Sequence, residues 1–211
     1  MRASLARLAP ALAVATLCLA APARADIASD RVTLLDHASE TVMHLRHDPA
    51  FSQARAMLQD AEAVYIVPRL VKGGFIFGAE GGDGVLLKRT GRSWSSPAFY
   101  SMGSASFGLQ IGLEQAELVF ILMTDRALKG IQRSEFKLGA GAGITVVTLS
   151  SAAEGATSGQ GGDIVVWASG TGAYGGLTFN GSVIKQDKDA NAVPATGPEA
   201  QALRKNLASI W

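Results

Sequence analysis

Residues 71–87 read VKGGFIFGAEGGDGVLL, six glycines set among Phe, Ile, Val and Leu. Such a run is a phosphate-cradling loop, a flexible linker or a tightly bent sheet, and the fold turns on which. A phosphate loop leads its glycines through Gly-Lys-Ser/Thr into a helix, so that backbone N–H groups and the lysine converge on the phosphates. Here Lys72 precedes the glycines and no helix start follows. Glycine inside a strand costs roughly 0.5–1 kcal/mol relative to alanine, and is kept where a sheet coils, bulges or admits a close backbone neighbour. The alternation from Gly74 to Gly78 therefore predicts a strongly curved antiparallel hairpin, with Gly81-Gly82-Asp83-Gly84 as its tight turn.

The neighbouring sequence continues in the same manner. AVYIVPRL, GGFIFGAE, GVLLKRTG, PAFYSMG and ASFGLQIG are short runs rich in β-branched and aromatic residues, and ELVFILM is a continuous apolar strand. Thr124-Asp125 then caps a short helix, DRALKGIQRS. Strands resume in FKLGAGAGITVVTLS, a Gly/Ser-rich loop follows at 150–162, and DIVVWASGT with GAYGGLTFNGSVIK predicts the two arms of a hairpin. Before all of this lies a helical pair. Ile27, Val32, Leu35, Val42 and Leu45 form one stripe with Arg31, Asp36, Glu40 and Arg46 off it, and Asp48-Pro49 opens a second helix bearing Phe51, Ala54, Leu58 and Ala61. PEAQALRKNLASIW predicts a terminal helix. The expected fold class is α+β: a strongly curved antiparallel β-sheet, barrel-like, with the N-terminal helices packed against it.

The first 25 residues have the form of an export signal. Arg2 and Arg7 precede an apolar run from Leu8 to Ala21, and Ala23-Arg24-Ala25 offers a small-x-small cleavage site. Cys18, the only cysteine, follows Ala15-Thr16-Leu17 rather than the small residues of a lipidation site. Cleavage would remove three of the nineteen basic residues and no acid, leaving 16 Lys and Arg against 18 Asp and Glu, a net charge of −2. Such a balance does not imply nucleic acid as a partner, and without a cysteine the mature chain has no disulfide or thiolate chemistry.

Catalytic patterns are missing as well. GAGAG at 139–143 is flanked by strand-like sequence rather than opening a helix, and no serine has glycine at both −2 and +2. His37 and His44 sit seven apart on a helix with no acid or cysteine to complete a metal cluster. DKDAN at 187–191 copies half of a calcium loop, but Ala192 and Pro198 stand where Gly and the bidentate acid belong, which makes it a polar turn. Glu80, Asp83 and Glu114 supply carboxylates without an informative spacing. No catalytic residue, metal or cofactor is expected.

VPRLVKGGFIFGAEGGDGVLL, WSSPAFYSMGSASFGLQIG, ELVFILMTDRAL, FKLGAGAG and GGLTFNGSVIKQDKDAN, in that order, closely resemble the SYLF domain, also called the Ysc84 actin-binding domain. The resemblance covers about residues 35–193 and describes a bacterial exported member of the family. It departs where AVPATG, at 192–197, replaces a Tyr-Gly pair common after the last motif. The expected division is a signal peptide at 1–25, a SYLF-like lipid-binding domain at 26–193 that includes the helical pair, and a polar C-terminal tail with a short helix at 194–211.

The resemblance implies non-catalytic binding of anionic phospholipids, with phosphoinositide or phosphatidic-acid-like headgroups, at a membrane surface. Actin, bound by some relatives, is disfavoured for an exported chain; an envelope protein partner is the alternative. The expected location is the periplasm, in association with a membrane. Three groups of cations are candidates for the headgroup: Arg69 with Lys72; Lys88, Arg89 and Arg92; and Arg126, Lys129 and Arg133, whose i, i+3, i+7 spacing would put them on one helix face. Phe99, Tyr100, Met102 and Phe107 are apolar residues for either the core or a lipid surface, with the core favoured.

Overall fold

The computed structural model describes residues 21–74, 77–107, 112–133, 135–138, 143–149, 162–169 and 181–210. The signal-like residues 1–20, most of GAGAG and nearly all of the Gly/Ser-rich run at 150–162 lie outside them. Helices α1 (Ala21–His47) and α2 (Phe51–Asp60) come first, α3 (Asp125–Ile131) interrupts the strands, and α4 (Pro198–Ala208) closes the chain. The strands are β1 (Ala63–Gly74), β2 (Phe77–Thr90), β3 (Ser93–Trp94), β4 (Ala98–Phe107), β5 (Gly112–Leu122), β6 (Glu135–Lys137), β7 (Val146–Leu149), β8 (Ile164–Ser169) and β9 (Val183–Gln186). They form one strongly curled half-barrel in the order β6-β9-β4-β2-β1-β5-β8-β7, with β3 paired to β2 at the side. Among the described residues no helix is long and apolar enough to cross a membrane.

The α+β class is as expected, with three corrections to its parts. Gly81–Gly84 is not a turn. It lies inside the unbroken β2, which pairs with β4 from Phe77↔Phe107 to Leu86↔Ala98, and the β1–β2 reversal falls between Gly74 and Gly78. Several predicted short strands accordingly fuse into long ones, because glycine weakens a strand without ending it. Second, the sheet is mixed, since β7 and β8 run parallel. Third, the described ends of the expected hairpin do not pair with each other, β8 joining β5 and β7 while β9 joins β4 and β6 on the other side of the sheet; residues 170–180 of that hairpin lie outside the described residues. A local apolar pattern specifies that a segment extends, not which neighbour it takes.

Glycine is required where β1 bulges. Between Ile66 and Val71, β1 contains one residue more than β2, and between Val67 and Leu70 one more than β5. Pro68, which has no N–H to give a ladder, sits in this bulge. A Cβ at Gly82 would collide with the Arg69 carbonyl, and one at Gly84 would stand 2.6 Å from the Ile66 carbonyl oxygen and 2.7 Å from the Tyr65 ring. The glycines thus let β2 run close beneath a bulged, aromatic-bearing β1. The bulge also inverts the side-chain alternation, so Val67 and Leu70 share the inner face of the sheet although they are three apart.

Both faces of the sheet are covered. On the outer face Leu35, Ala38, Val42 and Leu45 of α1, Leu58 of α2 and Leu203 and Leu207 of α4 pack on Val64, Ile66, Val85, Leu87, Val119, Ile121 and Trp167. Inside the curl Tyr65, Leu70, Met102, Leu118, Phe120, Ile131, Phe136 and Ile184 form a second cluster. Double coverage explains why residues 118–122 of β5 are apolar without alternation. Each fully buried leucine contributes roughly 1.5–3 kcal/mol. The segment set off as a tail thus packs α4 into the outer cluster.

On α1 the buried positions Leu35, Ala38, Val42 and Leu45 repeat at the 3–4 spacing of a helix face. Val32, expected on that face, is 41% exposed. Arg31, read as off the stripe, continues the spacing one turn before Leu35 and turns toward the sheet, where its guanidinium stacks 4.9 Å from the Phe99 ring centroid. Asp48 caps a turn just ahead of α2, its Oδ1 accepting from the Ala50 N–H at 2.7 Å. Thr124 caps α3 as expected, accepting from the Ala127 N–H at 3.2 Å.

Candidate binding cleft

Where the N-terminal half of α1 crosses the bulge of β1, a cleft of about 600 Å³ opens. Ile27, Arg31, Leu34 and His37 come from α1, Pro68, Arg69 and Val71 from the bulge, Gly81 to Asp83 from β2, and Phe99 from β4. Asp30 and Asp187 flank it. The volume suits a small ligand, and the mixture of an apolar lining with a few charged groups is typical of such sites.

Local folding places each side chain. The bulge turns Arg69 to the outer face, where it is exposed and has no ion pair among the described residues. Arg31 donates through Nη2 to the Val193 carbonyl at 2.9 Å, while its Nε is buried without a hydrogen-bond partner. The segment after β9 completes the wall. Asn191 imitates a backbone pair with β4, accepting from the Phe99 N–H at 2.9 Å and donating to the Phe99 carbonyl at 2.7 Å. Asp187 Oδ1 accepts from the Ala190 N–H at 2.9 Å, so DKDAN is the polar turn expected of it. Asp83 has no hydrogen-bond or ion-pair partner among the described residues, and burial, then the carboxylates of Asp187 and Asp30, raise its pKa above the usual aspartate value.

The eight cations singled out by sequence do not assemble into one site. Arg69 and Lys72 separate, because alternation after the bulge puts Arg69 on the outer face and Lys72 on the inner, opposite Glu80 and Glu114 in the register. Arg89 is structural: Nε donates to the Ala61 carbonyl at 2.5 Å, Nη2 donates to the Leu58 carbonyl, and the guanidinium lies 4.8 Å from the Trp94 ring centroid. It closes the C-terminal end of α2, where orphan carbonyls need donors. Lys88 and Arg92 are exposed beside it. Of the third group, Arg126 holds Asp163 at 2.8 Å and Lys129 holds Asp125 at 2.5 Å. Helix α3 ends at Ile131, so Arg133 lies beyond it and the common face is lost.

Two further carboxylates that sequence analysis passed over hold the fold. Asp163, 7% exposed, accepts from the Thr145 N–H at 2.9 Å, from Thr124 Oγ1 at 2.9 Å and from Arg126. The Thr145 bond above all, then Arg126 and Thr124, keep its pKa below the usual carboxylate range despite burial. Glu117 gathers Thr41 and His44 of α1 and Ser169 of β8 at 2.9, 2.8 and 2.5 Å. Glu80 accepts from Ser104 and Ser182, three residues and one face away from Asp83, so no carboxylate pair forms between them. Among the described residues no three His, Cys, Asp or Glu side chains are near enough to hold a metal ion. Phe99, Tyr100 and Met102 are core residues, and the Phe107 side chain lies outside the described set.

The cleft residues that sequence missed left one legible sign. Arg31 is a cation at a position where the helical spacing of α1 calls for an apolar residue. Asp83 and Asp187 stand in the sequence only as a carboxylate without informative spacing and as part of a polar turn, and nothing in the sequence brings them to one cleft.

The family model Ysc84, described as "Las17-binding protein actin regulator", matches residues 103–194. Relatives include "LAS seventeen-binding protein 3" of Saccharomyces cerevisiae, 31% identical over 142 residues that cover 64% of this chain and 30% of that protein. "SH3 domain-containing YSC84-like protein 1" of Mus musculus is 30% identical over 125 residues, 58% of this chain and 37% of that one. The chain thus spans about a third of the length of these curated relatives, the first of which is named as a binding protein. No solved structure matches. With the ordered sequence motifs and these matches, residues 103–194 are a Ysc84 (SYLF) family match, and the similarity to the relatives extends it over 64% of the chain.

Proposed function

We propose that this protein is a non-catalytic phospholipid-binding module of the periplasm that docks on anionic membrane surfaces and takes the headgroup phosphate into the cleft beneath α1. The observation that carries this reading is that Arg69, an exposed cation without an ion pair among the described residues, and Arg31 line the same cleft. A guanidinium offers planar, charge-assisted donors to phosphate oxygens, and the Ile27, Leu34, Val71 and Phe99 lining suits the adjoining acyl-glycerol. Lys88, Arg92 and Arg133, with Lys72 on the inner face, add long-range attraction, while Arg126 and Lys129 serve carboxylates of the protein itself.

Sedimentation with vesicles of phosphatidylcholine, alone or doped with anionic phospholipid, tests it. Binding to the anionic vesicles that weakens at high salt, and falls at least roughly fivefold in Arg69→Glu, is expected. No binding to either vesicle, or an unchanged Arg69→Glu variant, refutes it. The second reading, an envelope protein partner, is favoured by the relatives' names as binding proteins; a stoichiometric partner recovered without lipid would support that reading instead.

A further inference from the structure

The cleft is lined by acids as well as by the arginines that would hold a phosphate. Asp30, Asp83 and Asp187 line it together with Arg31, Arg69 and His37, and the two arginines are the only permanent cations among its described lining residues. Asp83 is exposed into the cleft without a partner among the described residues, and partial desolvation with the carboxylates of Asp187 and Asp30 raises its pKa. A metal ion does not meet that need, since the described carboxylates do not close into a metal-holding group. An organic ammonium can reach spread-out carboxylates one at a time, because its donors need no fixed coordination shell. The same cleft offers an anion the guanidinium of Arg31, oriented by the Val193 carbonyl and the Phe99 ring, together with Arg69. Opposite charges on one small wall are the complement of a ligand that bears both.

From this we infer that the cleft recognises an ammonium-bearing phosphodiester, as in the headgroup of an aminophospholipid, with the phosphate on Arg31 and Arg69 and the ammonium on Asp83, supported by Asp30 and Asp187. The inference rests on the phospholipid reading above and adds the chemistry of the headgroup.

Isothermal titration of the full chain with monomeric dihexanoyl-phosphatidylethanolamine, dihexanoyl-phosphatidylglycerol and water-soluble glycerophosphoethanolamine tests it, using wild type, Asp83→Asn and Arg69→Gln. Asp83 is exposed and unpartnered, so Asp83→Asn keeps the shape and removes the charge; the melting temperature checks that each variant is folded. Wild type should bind the ethanolamine lipid roughly tenfold more tightly than the glycerol lipid, the preference should vanish in Asp83→Asn, and Arg69→Gln should weaken both lipids alike. Binding of glycerophosphoethanolamine as tight as that of the lipid would assign recognition to the headgroup alone; weaker binding would assign part of it to the acyl chains; both support the inference if Asp83→Asn removes the ethanolamine preference. Equal affinity for the two lipids in wild type, or a preference that survives Asp83→Asn, overturns the ammonium assignment while the phospholipid reading stands. Failure of both lipids to bind, or indifference to Arg69→Gln, overturns the phospholipid reading together with the inference built on it.

Discussion

Gly84→Ala and Gly81→Ala, three residues apart in β2, should have opposite effects. A methyl group at 84 would stand 2.6 Å from the Ile66 carbonyl oxygen and 2.7 and 2.9 Å from two atoms of the Tyr65 ring. Neither neighbour can withdraw. Ile66 lies in the β1–β2 ladder opposite Val85, and Tyr65 is fully buried between Tyr100 and Phe120, at centroid distances of 6.1 and 5.6 Å. Overpacking of this kind costs about 1–3 kcal/mol, and contact with rigid backbone puts it toward the upper end. Replacing a strand glycine returns about 0.5–1 kcal/mol, leaving a net loss of about 2 kcal/mol. At 81 the nearest atom is the Met102 carbonyl oxygen at 3.6 Å, an ordinary contact, so only the gain remains. For a chain of this length each kcal/mol moves the melting temperature by about 2–4 °C, which separates the two variants by about 5–10 °C. Thermal melting followed by circular dichroism reads this directly. If Gly84→Ala melts with the wild type, or the two variants coincide, close approach of β1 is not why glycine stands there.

Two further substitutions test the polar framework. Because Asp163 has a depressed pKa in the fold, its stabilisation is present above the unfolded carboxylate value near 3.9 and is lost as pH falls through the lower folded value. Asp163→Asn should therefore lose about 1–3 kcal/mol at pH 7, with the gap to wild type narrowing near pH 3; urea midpoints at the two pH values measure it, and a constant gap contradicts the assignment. Arg89→Ala should destabilise by about 2–3 kcal/mol through the freed Leu58 and Ala61 carbonyls, yet leave vesicle binding per folded molecule unchanged; selective loss of binding would return Arg89 to the headgroup site.

Much of the fold was legible in local chemistry. The 3–4 spacing of Leu35, Ala38, Val42 and Leu45, the Thr124 cap and the absence of a helix after Lys72 each follow from interactions within a turn or two of chain. The glycines announced a bent sheet for the same reason, since the cost of glycine in a strand demands a compensating neighbour. By contrast, β8 and β9 look alike in sequence and lie on opposite sides of the sheet, because pairing depends on which edges remain when the long strands have assembled. The site was the least legible part. Strand alternation separates Arg69 from Lys72, with the bulge deciding which of them faces outward; Asp163, far along the chain, claims Arg126, Asp125 one turn back claims Lys129, and the end of α2 claims Arg89. Sequence determined the inventory of charge and where the chain could extend or coil; the tertiary structure decided which charges were paired and which faced a cavity, because pairing is set by distances through space between residues far apart in the chain.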